Sequence, residues 1–371
     1  MSALDVTGNR LHFIDWLRVL AVLLLFPYHV TRVFNEEAFY VKADQVSAAL
    51  NVVLGFISVW HMQLLFLLAG ASTYFALRRR SSRQYLGERF TRLGVPFLIG
   101  VFVLLIPVQT WFGARFNSGY TDSFWHYLVS GDFLQWNIQE GGDYFGGFGL
   151  GHLWFLFVLL LVALIALPLL ASRGRGGDLL RGLSRRLARP VWWPLAALLI
   201  FAGAALPDPT GALEPFYYLV FFALGYVVVC DPAFMKSAER YRLPALTIGV
   251  ALAVFRVLTP ELRDALPDPS LQLTALNLLG TMASWLVIVG ALGYGRRYLD
   301  RTSPALDYLG EASYPVYLLH QTVIVIAAFY VVDLAAAEPL QWLTLMVVSA
   351  AGTFTLYEIV RRTRVTRWVF G

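Results

Sequence analysis

The sequence has almost no cysteine and little charge. Cys230 is the only cysteine among 371 residues, which excludes an internal disulfide and every metal site built from clustered cysteines. Asp, Glu, Lys and Arg together make up 14% of the chain, against about 25% in soluble globular proteins. A chain so poor in charge cannot clothe itself in a water-facing shell. What is there is apolar: 58% of the residues are hydrophobic and the mean hydropathy is +0.62. Long apolar runs recur from Ile14 to Val360, each near the ~20 residues that a bilayer crossing needs. The fold class expected is all-α, a polytopic integral membrane protein embedded in a lipid bilayer.

Ten transmembrane helices are expected, over 14–34, 47–77, 93–113, 151–171, 191–206, 213–230, 243–259, 271–294, 314–333 and 339–360. With about 20 residues in each, the connections average about 15. No soluble catalytic domain fits, so 1–371 reads as a single transmembrane domain whose chemistry sits among its helices. No small-residue cleavage site follows the first apolar run, which reads as a retained helix and not as a signal peptide.

The basic residues orient these spans. The net charge is +5, with 29 Lys and Arg in all, and most of them fall on alternate connections. They are Arg10, the 78–92 loop, Arg173 to Arg189, Lys236 to Arg242, Arg296 to Arg301, and Arg361 to Arg367. Only Lys42, Arg115 and Arg263 lie clearly in loops on the other side, while Arg18, Arg32 and Arg256 fall within or at the ends of spans. By the positive-inside rule both N- and C-termini are cytoplasmic. Basic residues dispersed over several loops, without interleaved exposed aromatics, do not form a nucleic-acid groove. The long outer connection, 114–150, holds Trp125, His126, Asp132, Trp136, Glu140, Asp143 and a glycine-rich run. It suits a sugar-binding lid, or an aromatic belt at the headgroups.

An ionisable side chain inside a span costs at least about 2.5 kcal/mol on insertion scales, so polar residues within apolar runs are informative. In the first span Asp15 and Arg18 are three apart and can pair on one face. His29 follows Arg18 after three turns and about 20° of rotation, about 16 Å along the axis, and Arg32 continues the stripe. One helix thus presents two polar stations toward opposite membrane faces. Against this stands the plainer reading of a structural Asp15–Arg18 pair and a satisfied core histidine. His61 lies in the second span, His152 opens the fourth and His320 lies in the ninth. Alternating span direction puts His29 and His152 near the outer face, His61 deeper, and His320 in the middle or cytoplasmic half. Four histidines at such different depths are a poor metal set, and no metal is expected. Neutral imidazole, with its ordinary pKa close to neutrality, is instead a good general base. No Gly-x-Ser-x-Gly elbow is present, and Ser58, Ser72 and Thr73 read as packing residues beside Gly70.

In the basic 78–92 loop Arg89 and Arg92 form an Arg-x-x-Arg pair just before the third span. On a helix they would share a face and could clamp phosphate groups, which makes a phosphate-rich cytoplasmic donor plausible.

These residues resemble the membrane acyltransferase 3 family. The resemblance rests on Phe13-Ile14-Asp15-Trp16-Leu17-Arg18 with His29, the run from His61 to Gly70, and Arg89-Phe90-Thr91-Arg92-Leu93-Gly94-Val95-Pro96-Phe97. Phe26-Pro27-Tyr28-His29, His152-Leu153-Trp154, Phe221 to Gly225, Tyr317-Leu318-Leu319-His320, Leu356-Tyr357-Glu358 and the terminal Trp368 to Gly371 resemble a branch that succinylates periplasmic glucans. The matches run from residue 13 to the end, in order. Where the family commonly carries Ser-Gly, this chain has Ala69-Gly70, so a hydroxyl there is dispensable or supplied by Ser72.

The resemblance implies a bacterial inner-membrane O-acyltransferase. It would take an acyl group from cytoplasmic acyl-CoA (acetyl-CoA or succinyl-CoA) to a hydroxyl of a periplasmic or extracellular glycan. Carried over by position, His29 is the essential histidine, Arg18 the arginine of the first helix, and Arg89 and Arg92 the donor loop. His61, His152 and Asp15 are candidates to orient His29. Trp125, Trp136, Trp154, His320 and Glu358 are candidates to meet the acceptor. A homodimer is compatible with all of this. The competing classes are a transporter or flippase of a lipid-linked sugar, and an N-acyltransferase acting on an amino sugar.

Overall fold

The computed structural model describes residues 11–134, 148–171 and 175–370, and among them every regular element is a helix. Among the described residues seven helical stretches are long and apolar enough to cross a bilayer: His12–Phe34, Ala48–Leu77, Ser82–Ser118, Gly151–Leu170, Leu271–Tyr298, Pro304–Val331 and Glu338–Val360. Two bent pairs, Gly176–Leu187 with Pro190–Ala204 at 109° and Pro215–Val228 with Pro232–Arg240 at 101°, raise the number to nine if each is one span. The segment expected to cross at 243–259 is the helix Arg242–Leu258. At 17 residues it is shorter than the ~20 that a crossing usually takes.

Local chemistry sets the breaks. Proline lacks the amide hydrogen and crowds the carbonyl four residues back, so Pro27 ends the helix His12–Leu23, and Leu24 turns into Leu25–Phe34. In Ser82–Ser118 a wide π-turn over Phe90–Gly94 separates Ser82–Arg89 from Val95–Phe102. The second bent pair restarts on a cap. Asp231 accepts the Ala233 amide at 3.0 Å and the Arg185 guanidinium at 2.7 Å, which satisfies an orphan donor at the start of Pro232–Arg240.

The chain forms two compact units, each assembled from three stretches. The first comprises Met1–Ala21, Gly55–Glu88 and Val158–Asp307. Its helices approach backbone to backbone at glycines. A Cβ on Gly70 would overlap the Phe222 carbonyl, and one on Gly225 would overlap the Leu67 carbonyl. The same reciprocity joins Arg242–Leu258 to Leu271–Tyr298, where a Cβ on Gly249 would fall 2.6 Å from the Val287 nitrogen and one on Gly290 2.8 Å from the Leu246 Cβ. Helices in lipid gain no hydrophobic drive from each other, so such close contact, with the dispersion it brings, takes its place.

The second unit comprises Val22–Leu54, Arg89–Phe157 and Tyr308–Gly371. Here Leu25–Phe34 packs on Glu338–Val360: Phe26 stacks on Phe354 at 6.4 Å and Trp342 donates to the Thr31 hydroxyl at 3.1 Å. The loop after Phe34 folds back, with Ala43 N–H on the Val33 carbonyl and Ser47 N–H on the Phe34 carbonyl. Lys42 closes the helix end, its ammonium on the carbonyls of Arg32 (2.8 Å), Asn35 and Glu37 (3.0 Å). A cation at a helix C-terminus satisfies the last carbonyls and opposes the helix dipole.

Candidate active site

Three of the histidines meet within the second unit. The His320 ring lies 5.1 Å from that of His29 and 5.2 Å from that of His152, centroid to centroid. Each comes from a different helix. His29 sits two residues after Pro27, in Leu25–Phe34. His152 lies in the short turn Gly151–Leu153 that leads into Trp154–Leu170. That turn needs glycine at its start, because Gly151 has φ +47° and a Cβ there would stand 2.7 Å from Ile106 Cδ1. His320 lies deep in Pro304–Val331. It and His152 are buried, whereas His29 is half-buried and reachable.

A ninth span starting at residue 314 would set His320 only six residues from the cytoplasmic end, away from the outer pair. The helix begins at Pro304. Those ten further residues add about 15 Å at 1.5 Å per residue, enough to bring His320 level with His29 and His152.

Backbone carbonyls orient two of these rings. His320 Nδ1 lies 2.6 Å from the Tyr317 carbonyl oxygen and His152 Nε2 lies 2.9 Å from that of Leu318. A carbonyl only accepts, so each of these nitrogens carries the hydrogen. In the neutral rings the lone pair is then on Nε2 of His320 and Nδ1 of His152. The latter faces the Gln109 amide at 3.5 Å. Gln109 also donates to Thr322 at 2.7 Å and accepts from Gln321 at 2.9 Å, while the Tyr317 hydroxyl donates to the His152 carbonyl at 2.6 Å. All of these side chains are buried, so the network holds the His152 turn and the His320 helix in register. Gln109, Gln321 and Thr322 are not among the residues that the sequence singles out, and Tyr317 stands out there only within the run that carries the family resemblance. A glutamine within an apolar run was the available signal.

Buried aromatics pack against these rings. Phe26 meets the His320 ring edge-on at 6.0 Å, and Phe39 stacks against His29 at 6.3 Å. Arg32, one turn beyond His29, pairs with Glu37 at 2.9 Å and donates to the Ala38 carbonyl at 2.8 Å. Burial first, and then the Arg32 guanidinium, push the Lys42 ammonium down to about 8.

The remaining candidates are distributed differently. Asp15, Arg18 and His61 belong to the first unit. Arg18 donates to Asp15 at 3.2 Å and to the Ser72 hydroxyl at 3.0 Å, and Ser72 donates to the Leu68 carbonyl. The His61 Nε2 meets the Ala21 carbonyl at 2.7 Å. Between Arg18 and His29 the helix is broken at Leu24, so their alignment does not follow from a single uninterrupted register. In the second unit, Glu358 accepts from Tyr308 at 2.9 Å and pairs with Arg361 at 3.2 Å. Trp154 begins the helix that follows His152. Trp125 stands 71% exposed on Phe124–Val129. Trp136, Glu140 and Asp143, with glycines 141–147, lie outside the described residues.

Arg89 and Arg92 flank the start of the π-turn. Its wider winding rotates Arg92 farther from Arg89 than an α-turn would, so the expected shared face is opened. The Tyr314 hydroxyl donates to the Arg92 carbonyl and pins the turn, while the Arg92 side chain stays exposed. Among the described residues no three His, Cys, Asp or Glu side chains are arranged to hold a metal ion.

Comparison with known proteins matches residues 11–358 to a family described as an acyltransferase domain. Proteins named glucans biosynthesis protein C from Salmonella paratyphi B, Salmonella agona and Salmonella gallinarum are each 22% identical over 392 residues, covering 99% of this chain and 96% of theirs. No solved structure matches the chain.

Proposed function

Since the chain belongs to the acyltransferase 3 family, we propose that it is a bacterial inner-membrane O-acyltransferase that moves an acetyl or succinyl group from cytoplasmic acyl-CoA to a glycan hydroxyl on the outer side. Ten crossings, with both termini cytoplasmic, accompany this proposal. They are the seven long helices, the two bent pairs and Arg242–Leu258. A glycan acceptor is favoured by relatives whose name, glucans biosynthesis protein C, refers to glucan synthesis. The presence of a reachable imidazole, His29, with a buried histidine against it is the observation that carries the chemistry.

In this mechanism His29 removes the proton of the acceptor hydroxyl as its oxygen attacks the thioester carbonyl. The tetrahedral intermediate collapses, the C–S bond breaks, and the proton passes to the departing thiolate. A positioned base of this kind contributes roughly 10²- to 10⁴-fold. Arg89 and Arg92, at the cytoplasmic end of their helix, hold the CoA phosphates by charge-assisted hydrogen bonds. The exposed Trp125 offers a flat face to a sugar ring.

Purified protein given radiolabelled acetyl- or succinyl-CoA and an oligoglucan tests the proposal. His29→Ala should abolish transfer while the protein still inserts and melts as the wild type does; retained transfer would refute the base. Replacing Arg89 and Arg92 with Ala should chiefly raise the KM for acyl-CoA, and an unchanged KM would refute the clamp.

A further inference from the structure

Within the second unit, Tyr308 and Tyr314 lie six residues apart on Pro304–Val331, about 9 Å along the axis. Tyr308 donates to Glu358 at 2.9 Å and Tyr314 donates to the Arg92 carbonyl. The last turns of Glu338–Val360 and the π-turn that carries Arg92 therefore lie at one end of the unit. Beyond Val360 the chain turns through 361–363 into a short helix, Arg364–Phe370, which packs against Val95–Phe102. That helix begins three residues after Arg92. Local chemistry makes the turn. Arg367 Nε donates to the Arg361 carbonyl at 3.1 Å, and the Thr366 hydroxyl donates to that of Val360, so carbonyls left without partners at a helix C-terminus are satisfied. Phe370 is buried. Arg361 is engaged as well, pairing with Glu358 at 3.2 Å and lying over the Tyr308 and Tyr357 rings. Arg362 and Arg364 differ. Both are exposed, and among the described residues no side chain hydrogen-bonds or pairs with either guanidinium. The carboxylates nearby in this unit are Glu358 and the exposed Glu311, one turn before Tyr314. Against them stand Arg89, Arg92, Arg361, Arg362, Arg364 and Arg367, which leaves a positive field at this end.

We propose that Arg362 and Arg364 form, beside Arg92, a second phosphate station for the acyl donor, so that the C-terminal helix is part of the donor site. This rests on the reading of the donor as acyl-CoA. That molecule carries a diphosphate and a ribose phosphate monoester, the monoester alone bearing about −1.5 to −2 at pH 7. The wide turn at Phe90–Gly94 opens the face that Arg89 and Arg92 would share on an α-helix. The two arginines then address different groups, and further guanidinia are needed to match the donor's charge. Arginine suits this task because its planar N–H groups meet phosphate oxygens two at a time. Arginines that only orient a chain in a bilayer need no fixed place. Here the bonds of Arg367 and Thr366 and the burial of Phe370 hold the segment against the helix that follows Arg92. Phospholipid headgroups present the same phosphate chemistry, and the experiment separates the two sources.

Full-length protein is reconstituted in nanodiscs of phosphatidylcholine, with and without phosphatidylglycerol, and transfer is measured for wild type, Arg362→Gln/Arg364→Gln and Arg89→Ala/Arg92→Ala. In both membranes Arg362→Gln/Arg364→Gln should raise the KM for acyl-CoA by roughly three- to thirtyfold and leave kcat within about twofold. For acyl-pantetheine, a thioester without phosphate, its kcat/KM should match that of wild type. An unchanged KM for acyl-CoA would overturn the proposal, and so would an equal loss with acyl-pantetheine, which would make the effect one of packing. A rise confined to the anionic membrane would give the two arginines to lipid headgroups and overturn it too. Should the double variant not fold, protection of the wild type decides. CoA should shield Arg362 and Arg364 from phenylglyoxal, read by peptide mass spectrometry, and pantetheine should not; modification indifferent to CoA overturns the station. No transfer from acyl-CoA by the wild type would sink the reading of the donor itself. A raised KM in Arg89→Ala/Arg92→Ala beside an unchanged one in Arg362→Gln/Arg364→Gln would sink only the C-terminal station.

Discussion

At Gly151 one backbone angle decides where a functional ring sits. With φ +47° and Ile106 pressed against the space a Cβ would take, the turn admits no other residue without strain. An L-residue held in the left-handed region costs roughly 1–2 kcal/mol, and the displaced turn would carry His152 away from Gln109 and from the Leu318 carbonyl. Gly151→Ala is therefore expected to lower the melting temperature and to reduce transfer. Wild-type melting together with wild-type activity would show that the turn is not needed. The individual site residues were legible in the sequence to unequal degrees. His29, His61, His152 and His320 stand out because ionisable groups are costly in apolar helices, and Asp15 with Arg18 stands out by its spacing. The partnership of His320 with His29 did not, because it depended on where a helix begins ten residues earlier. Gln109 carries no charge and left a weaker trace.

The helices show how small residues replace solvent-driven packing. Gly70 in His61–Leu77 and Gly225 in Pro215–Val228 each lie against a carbonyl of the other helix, so neither can accept even one methyl group without a backbone shift. Overpacking of this kind costs about 1–3 kcal/mol. Gly225→Val should lower the melting temperature of the detergent-purified protein by several degrees, and Gly203→Ala, which also meets a backbone carbonyl, at 2.8 Å, should cost less. Equal melting of wild type and Gly225→Val would show that the helices separate freely at this contact. Existence and type of the long helices could be read from apolar run length. Their breaks at Leu24, at Trp60 and over Phe90–Gly94 could be read only where a proline signals them. Pro27 does so; the π-turn has no comparable residue signature.

For the whole chain, orientation is the property on which the proposed reaction most depends, since that proposal puts donor and acceptor on opposite sides. The single cysteine makes it accessible to experiment. In a Cys230→Ala background, a membrane-impermeant maleimide applied to intact cells should label Thr121→Cys and leave Ser82→Cys unlabelled until the cells are opened. The reverse pattern would invert the chain and separate the basic loop from cytoplasmic acyl-CoA.

Composition together with the length of the apolar runs pointed to helices in a membrane, because a chain with 14% charged residues cannot cover itself with charge, and apolar runs near 20 residues suit helices that satisfy every backbone group within themselves. Residue order further carried the family resemblance from Phe13 onward. Only tertiary structure brought His29, His152 and His320, more than a hundred residues apart from one to the next, ring against ring, and assigned Gln109 and the Tyr317 carbonyl to orient them. Such contacts depend on where each helix starts, turns and crosses its neighbours, and a pattern local to one helix holds no record of that.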